Sequence, residues 1–128
     1  MSLRSPLGKV LGSGSAKEGT EHFWVQRVSA VALALLGCWF LVSLLQLDAL
    51  SYASVLSWIA APLNSILLAL LAATLAWHSS LGIQVIIEDY VHGAFVKVVS
   101  LIMSKFAHML AAAVAIFAVL KISFGGGA

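Results

Sequence analysis

The chain has 128 residues, 62% hydrophobic and 9% charged, with a mean hydropathy of +1.06; soluble domains carry about 25% charged residues, so the composition excludes one and places the chain in a membrane. Seven Lys and Arg against five Asp and Glu leave a formal charge of +2, too small for the basic face that nucleic-acid binding requires. The single cysteine, Cys38, excludes a disulfide framework or a thiolate metal cluster built from this chain alone, and leaves any chemistry to His, Tyr, Arg, Asp and Glu.

Residues 1–22 read as a retained cytoplasmic tail holding Arg4, Lys9 and Lys17; they lack the apolar core and small-residue cleavage pattern of a secretory signal. A first apolar run over 25–47 is long enough to cross a ~30 Å hydrocarbon core, and Asp48 closes it. Serines at 51, 54 and 57 with Tyr52 and Trp58 predict a short interfacial turn of helix over 49–61. Pro62 restarts the chain, and a second span over 63–87 ends at Glu88 and Asp89. A third span over 98–124, preceded by Lys97 and followed by a glycine tail over 125–128, completes a three-helix membrane domain over 23–124. The expected fold is all-α: three transmembrane helices forming part of a larger helical bundle. Arg4, Lys9, Lys17, Arg27 and Lys97 then fall on one side and Lys121 on the other, which predicts a cytoplasmic N-terminus and an external C-terminus.

Ionisable groups at membrane depth are costly, so each calls for a reason. His78 lies just to the cytoplasmic side of the middle of the second span, on a stripe with Leu71, Leu75, Gly82 and Asp89. A neutral imidazole nitrogen binds iron, and Gly82 removes a side chain where a flat macrocycle would lie, so the pair suits an axial haem ligand; a histidine bonded to a neighbouring helix is the alternative. His108 lies at similar depth on a stripe with Ala111, Ala112 and Ala115, which fits a hydrogen bond at a helix contact, with a second haem ligand as the alternative. Arg27 shares a face with Ala30, Ala34 and Gly37 that points it into a bundle, towards a haem propionate or Asp89; a snorkelling anchor is the other reading. Where the second helix leaves the bilayer, Tyr90 can donate to a quinone carbonyl, and Asp89 can orient an arginine or relay protons. The plainer reading there is a belt tyrosine beside solvated acids. Trp24, Trp39, Trp58 and Trp77 read as interface or packing residues.

Together, His22, Trp24, Gln26, Arg27 and Ser29 at the first span, with His78, Gly82, Asp89 and Tyr90 in the second, resemble the small hydrophobic membrane-anchor subunit of succinate dehydrogenase, a succinate:quinone oxidoreductase. The likeness covers nearly the whole chain, and its specific part is the spacing His, three residues, Gly, six residues, Asp-Tyr. The resemblance implies that His78 is one axial ligand of haem b, the other coming from the larger cytochrome b anchor subunit. It implies that Asp89 and Tyr90 belong to a ubiquinone site completed by that subunit and the iron-sulfur subunit, with the flavoprotein beyond. It also implies that Arg27 and His22 lie near the haem propionates; Gln84 receives no role. A bacterial cytoplasmic membrane is expected rather than a mitochondrial one, because the tail is short and serine-poor for a transit peptide. With no dinucleotide-binding glycine motif and no cysteine cluster, no succinate-oxidising site is expected in this chain. Two other readings stand beside this one: a self-contained small cytochrome b using His78 and His108, and a haem-free structural anchor.

Overall fold

The computed structural model describes residues 18–125, so most of the expected tail over 1–22 and the last three residues lie outside the described part. Among the described residues four helices follow one another: α1 (Glu18–Leu45), α2 (Tyr52–Ala60), α3 (Pro62–Tyr90) and α4 (Ala94–Ser123). The three long ones have 28, 29 and 30 residues, about 42 to 45 Å at ~1.5 Å per residue, and are apolar enough to cross a membrane. Each is longer than the hydrocarbon core needs, so its ends reach headgroup level or the helix tilts.

Local chemistry sets the helix ends. Ser51 caps α2, its hydroxyl accepting from the Ser54 amide at 3.2 Å. Pro62 occupies the first turn of α3, where a missing N–H leaves no partner wanting. The turn between them is tied by the Asn64 side-chain amide donating to the Trp58 carbonyl at 2.8 Å. At the far end of α3 the Lys97 ammonium donates to the Glu88 carbonyl at 2.7 Å, placing positive charge on the helix C-terminus where the backbone dipole favours it. The chain leaves α4 through Gly125, whose φ of 95° lies in the left-handed region that glycine tolerates without strain.

The arrangement is an open one. α3 is central, α1 and α4 each pack against it without meeting each other, and α2 packs on α3 and α4. Trp58 of α2 stacks on Trp39 of α1 with ring centroids 5.9 Å apart, closing the end of the bundle opposite Glu88. Hydrogen bonds set the helix register: Ser29 to His78 at 2.9 Å joins α1 to α3, while Ser79 to His108 and Ser123 to Ser65, both 3.1 Å, join α3 to α4. Leu36, Ser29 and Ser65 are the buried residues among those described, and large apolar side chains cover the outside of all three long helices. In water that surface would be prohibitive. In lipid it is the ordinary exterior of a spanning helix.

Candidate functional site

α1 turns His22, Gln26 and Ser29, spaced by about one helical turn, towards α3, where Ser29 meets His78, Gln26 faces Gly82, and His22 lines a cavity shared with Trp77 and Leu81. The Ser29 hydroxyl contacts the Gln26 carbonyl at 3.0 Å and His78 Nδ1 at 2.9 Å. A hydroxyl has one hydrogen and a carbonyl can only accept, so with both contacts made Ser29 donates to Gln26 and accepts from His78 Nδ1–H. His78 Nε2 then keeps its lone pair, with no hydrogen-bond partner among the described residues. Because this link joins residues 49 apart in sequence, spacing along the chain does not reveal it.

His108 is satisfied at both nitrogens. Its Nδ1–H donates to the Ser104 carbonyl at 2.7 Å, and Nε2 accepts from the Ser79 hydroxyl at 3.1 Å. This is the helix-contact role expected from its alanine-lined stripe, and it leaves neither nitrogen open for a metal. Among the described residues no three His, Cys, Asp or Glu groups gather where they could hold a metal ion. His78, with Nδ1 held and Nε2 open, is a residue that would suit a ligand to a haem iron.

Gly82, Arg27 and His22 are placed as follows. Gly82 faces Gln26 of α1: a Cβ there would meet the Gln26 side-chain nitrogen at 3.8 Å, an ordinary contact distance. Arg27 does not face the chain's own bundle. It is exposed together with Ala30 and Ala34, and its guanidinium lies 4.9 Å from the Phe23 ring centroid, because the inward stripe of α1 runs through Gln26 and Ser29. His22 Nε2 is buried without a partner, as is Gln26 Oε1, so α1 carries two unsatisfied polar atoms near the Glu88 end of the bundle. A cavity of about 470 Å³ opens there between His22 and Val25 of α1 and Trp77, Gln84 and Glu88 of α3. Gln84 donates to the Glu88 carboxylate at 2.8 Å.

Asp89 and Tyr90 form the last turn of α3. Both are exposed, Tyr90 at 78% of its surface, and the helix runs unbroken from His78, putting Tyr90 about 18 Å further along the axis at ~1.5 Å per residue. The geometry is thus an open imidazole inside the bundle and a free phenol and carboxylate at its end.

The model of the family described as succinate dehydrogenase/fumarate reductase transmembrane subunit matches residues 1–120. The chain belongs to that family. Among curated relatives, the succinate dehydrogenase hydrophobic membrane anchor subunit of Paracoccus denitrificans is 32% identical over 121 residues, 94% of this chain and 93% of the relative. The corresponding subunit of Rickettsia bellii (strain RML369-C) is 36% identical over 90 residues, 70% of this chain and 71% of its own length. The succinate dehydrogenase membrane anchor subunit of Reclinomonas americana is 33% identical over 100 residues, 76% of this chain and 83% of the relative. No solved structure matches significantly. Family membership agrees with the three apolar helices in making the chain an integral membrane protein.

Proposed function

We propose that the chain anchors a succinate dehydrogenase to the membrane, gives one axial ligand to a haem b through His78, and contributes Tyr90 and Asp89 to a ubiquinone-reduction site. The larger cytochrome b anchor would supply the second haem ligand, and the iron-sulfur and flavoprotein subunits would dock at the end that carries Glu88, Tyr90 and Lys97. That end is cytoplasmic in this reading, as is the N-terminus, because Arg4, Lys9, Lys17, Arg27 and Lys97 fall on that side by their order along the chain. The membrane would be a bacterial cytoplasmic one.

The observation that carries the haem assignment is the held Nδ1 and open Nε2 of His78 in a chain of this family. When bound, a haem supplies a one-electron carrier between the soluble module and the membrane. This chain's part is to present His78 Nε2 in one tautomer and one orientation, with Ser29 fixing both. At the quinone site, Tyr90 donates its phenolic hydrogen to a carbonyl oxygen. A donor fixed in advance stabilises negative charge as it develops on that oxygen, and so lowers the barrier to reduction. Asp89 lies on the His78 side of α3, eleven residues or about three turns on, and holds a cationic partner beside the pocket.

The test is replacement of each histidine in the assembled complex. His78→Ala is expected to abolish the low-spin b-type spectrum, and His108→Ala to leave it intact. Loss of the haem from the His108 variant with retention in the His78 variant would overturn the assignment.

A further inference from the structure

Lys105 is a cation placed within the membrane-spanning part of the chain. Lys105 of α4 is exposed, and among the described residues its ammonium makes no hydrogen bond or ion pair. The Ser79–His108 and Ser65–Ser123 contacts set it level with Gly82 or Ile83, about 9 Å deeper than Glu88 at ~1.5 Å per residue. A lysine at that depth reaches the headgroup region by extending its stem along the helix.

Lys105 and Gln84 stand at one end of a groove of about 360 Å³ between α3 and α4. From there the groove runs past Trp77 and Met109 to Ala73 and Ala112, and apart from Ser80 and His108 its remaining walls are apolar. Gln84 to Ala73 is about 16 Å along α3, close to one leaflet of a ~30 Å hydrocarbon core. Ala73, Trp77 and Gln84 share a stripe, and Tyr90, six residues beyond Gln84, falls about 120° round the helix, so the groove and the phenol look in different directions.

We propose that this groove holds one acyl chain of an anionic phospholipid, with its phosphate on the Lys105 ammonium. A single hydrocarbon chain matches the groove's length and its alanine lining at Ala73, Ala76 and Ala112. The phosphate answers the lysine's charge at the level to which that side chain extends, and the neighbouring Gln84 amide and His108–Ser79 pair keep the mouth of the groove polar.

The experiment uses the assembled complex in nanodiscs of phosphatidylcholine with a minority of phosphatidylglycerol. The phosphatidylglycerol that survives extraction into neutral detergent is counted by mass spectrometry. Wild type and Lys105→Arg are expected to retain it in preference to phosphatidylcholine. Lys105→Gln is expected to retain about fivefold less, the effect of one lysine's attraction to an anionic headgroup. Ala112→Phe, which fills the groove and leaves the lysine in place, is expected to lose it too, with dye reduction from succinate unchanged in each variant. Equal retention by Lys105→Gln, equal retention of phosphatidylcholine, or displacement by free glycerol phosphate would each overturn the proposal. So would a photocross-linker at Met109 that captures a partner chain in place of lipid.

Discussion

The partner at Nε2 separates His78 from His108. In both the Nδ1 proton is donated to an oxygen, Ser29 Oγ for His78 and the Ser104 carbonyl for His108, so both present Nε2 as a lone pair. Ser79 takes that lone pair at His108 and nothing described takes it at His78. Ser29→Ala removes the acceptor for Nδ1–H and frees the ring to turn or change tautomer. Haem affinity is expected to fall about 10- to 100-fold with a shifted spectrum, while Ser29→Thr, which keeps the hydroxyl, stays near wild type; haem content and electron paramagnetic resonance of the complex check this. Tyr90 calls for a different test, because its exposure alone also suits a belt residue. Tyr90→Phe keeps the ring and removes the hydroxyl. Quinone reductase activity is expected to fall by about 10²-fold or more, with assembly, haem content and reduction of a soluble dye retained. Wild-type quinone turnover would return Tyr90 to the membrane interface.

Among the elements, α3 has the most to accommodate, since α1, α2 and α4 all pack on it. Hydropathy along the chain puts the second span at 63–87 and the third at 98–124, whereas the helices run over Pro62–Tyr90 and Ala94–Ser123. The difference is physical: hydropathy marks what partitions into lipid, and backbone hydrogen bonding continues past that boundary until the chain must turn, here at Val91 to Gly93. Gly82 lies on the α1 side, opposite Gln26. Ala at 82 adds a methyl at ordinary contact distance from Gln26 and gains helix propensity of about 1 kcal/mol over glycine, so Gly82→Ala is expected to keep both haem and stability. Gly82→Leu is expected to push α1 away, break the Ser29–His78 bond and lose the haem. Absorbance spectra and thermal unfolding of the two variants distinguish this close-packing role from direct clearance for a macrocycle, in which the alanine variant would already fail.

As a whole molecule the chain is a central helix with a neighbour on either side and little of its own interior. Leu36 is its buried large apolar residue, and Ser29 and Ser65 are buried through their hydrogen bonds. In lipid, association comes from close packing and polar contacts, and a face such as Arg27, Ala30 and Ala34 on α1 is exposed among the described residues. The chain expressed without partner subunits is therefore expected not to persist as a stable, monodisperse monomer in mild detergent. Size-exclusion chromatography with light scattering measures this, and a well-behaved monomer would contradict it.

The amino-acid sequence determines by itself that this is a three-span membrane protein, where the interfacial serines lie, and that His78, Gly82, Asp89 and Tyr90 fall on the second span at a family-specific spacing. These properties follow from transfer of each residue into lipid and from chemistry repeated along one helix, both local to the chain. Tertiary structure decides which histidine keeps a nitrogen free, that Gly82 meets Gln26, and that Arg27 looks away from α3. Each of these depends on a pairing between helices, such as Ser29 with His78 or Ser79 with His108. In an apolar helix almost every face is compatible with lipid, so periodicity cannot choose the inward one. A few hydrogen bonds and small residues make that choice, and their partners are known only when the helices are side by side.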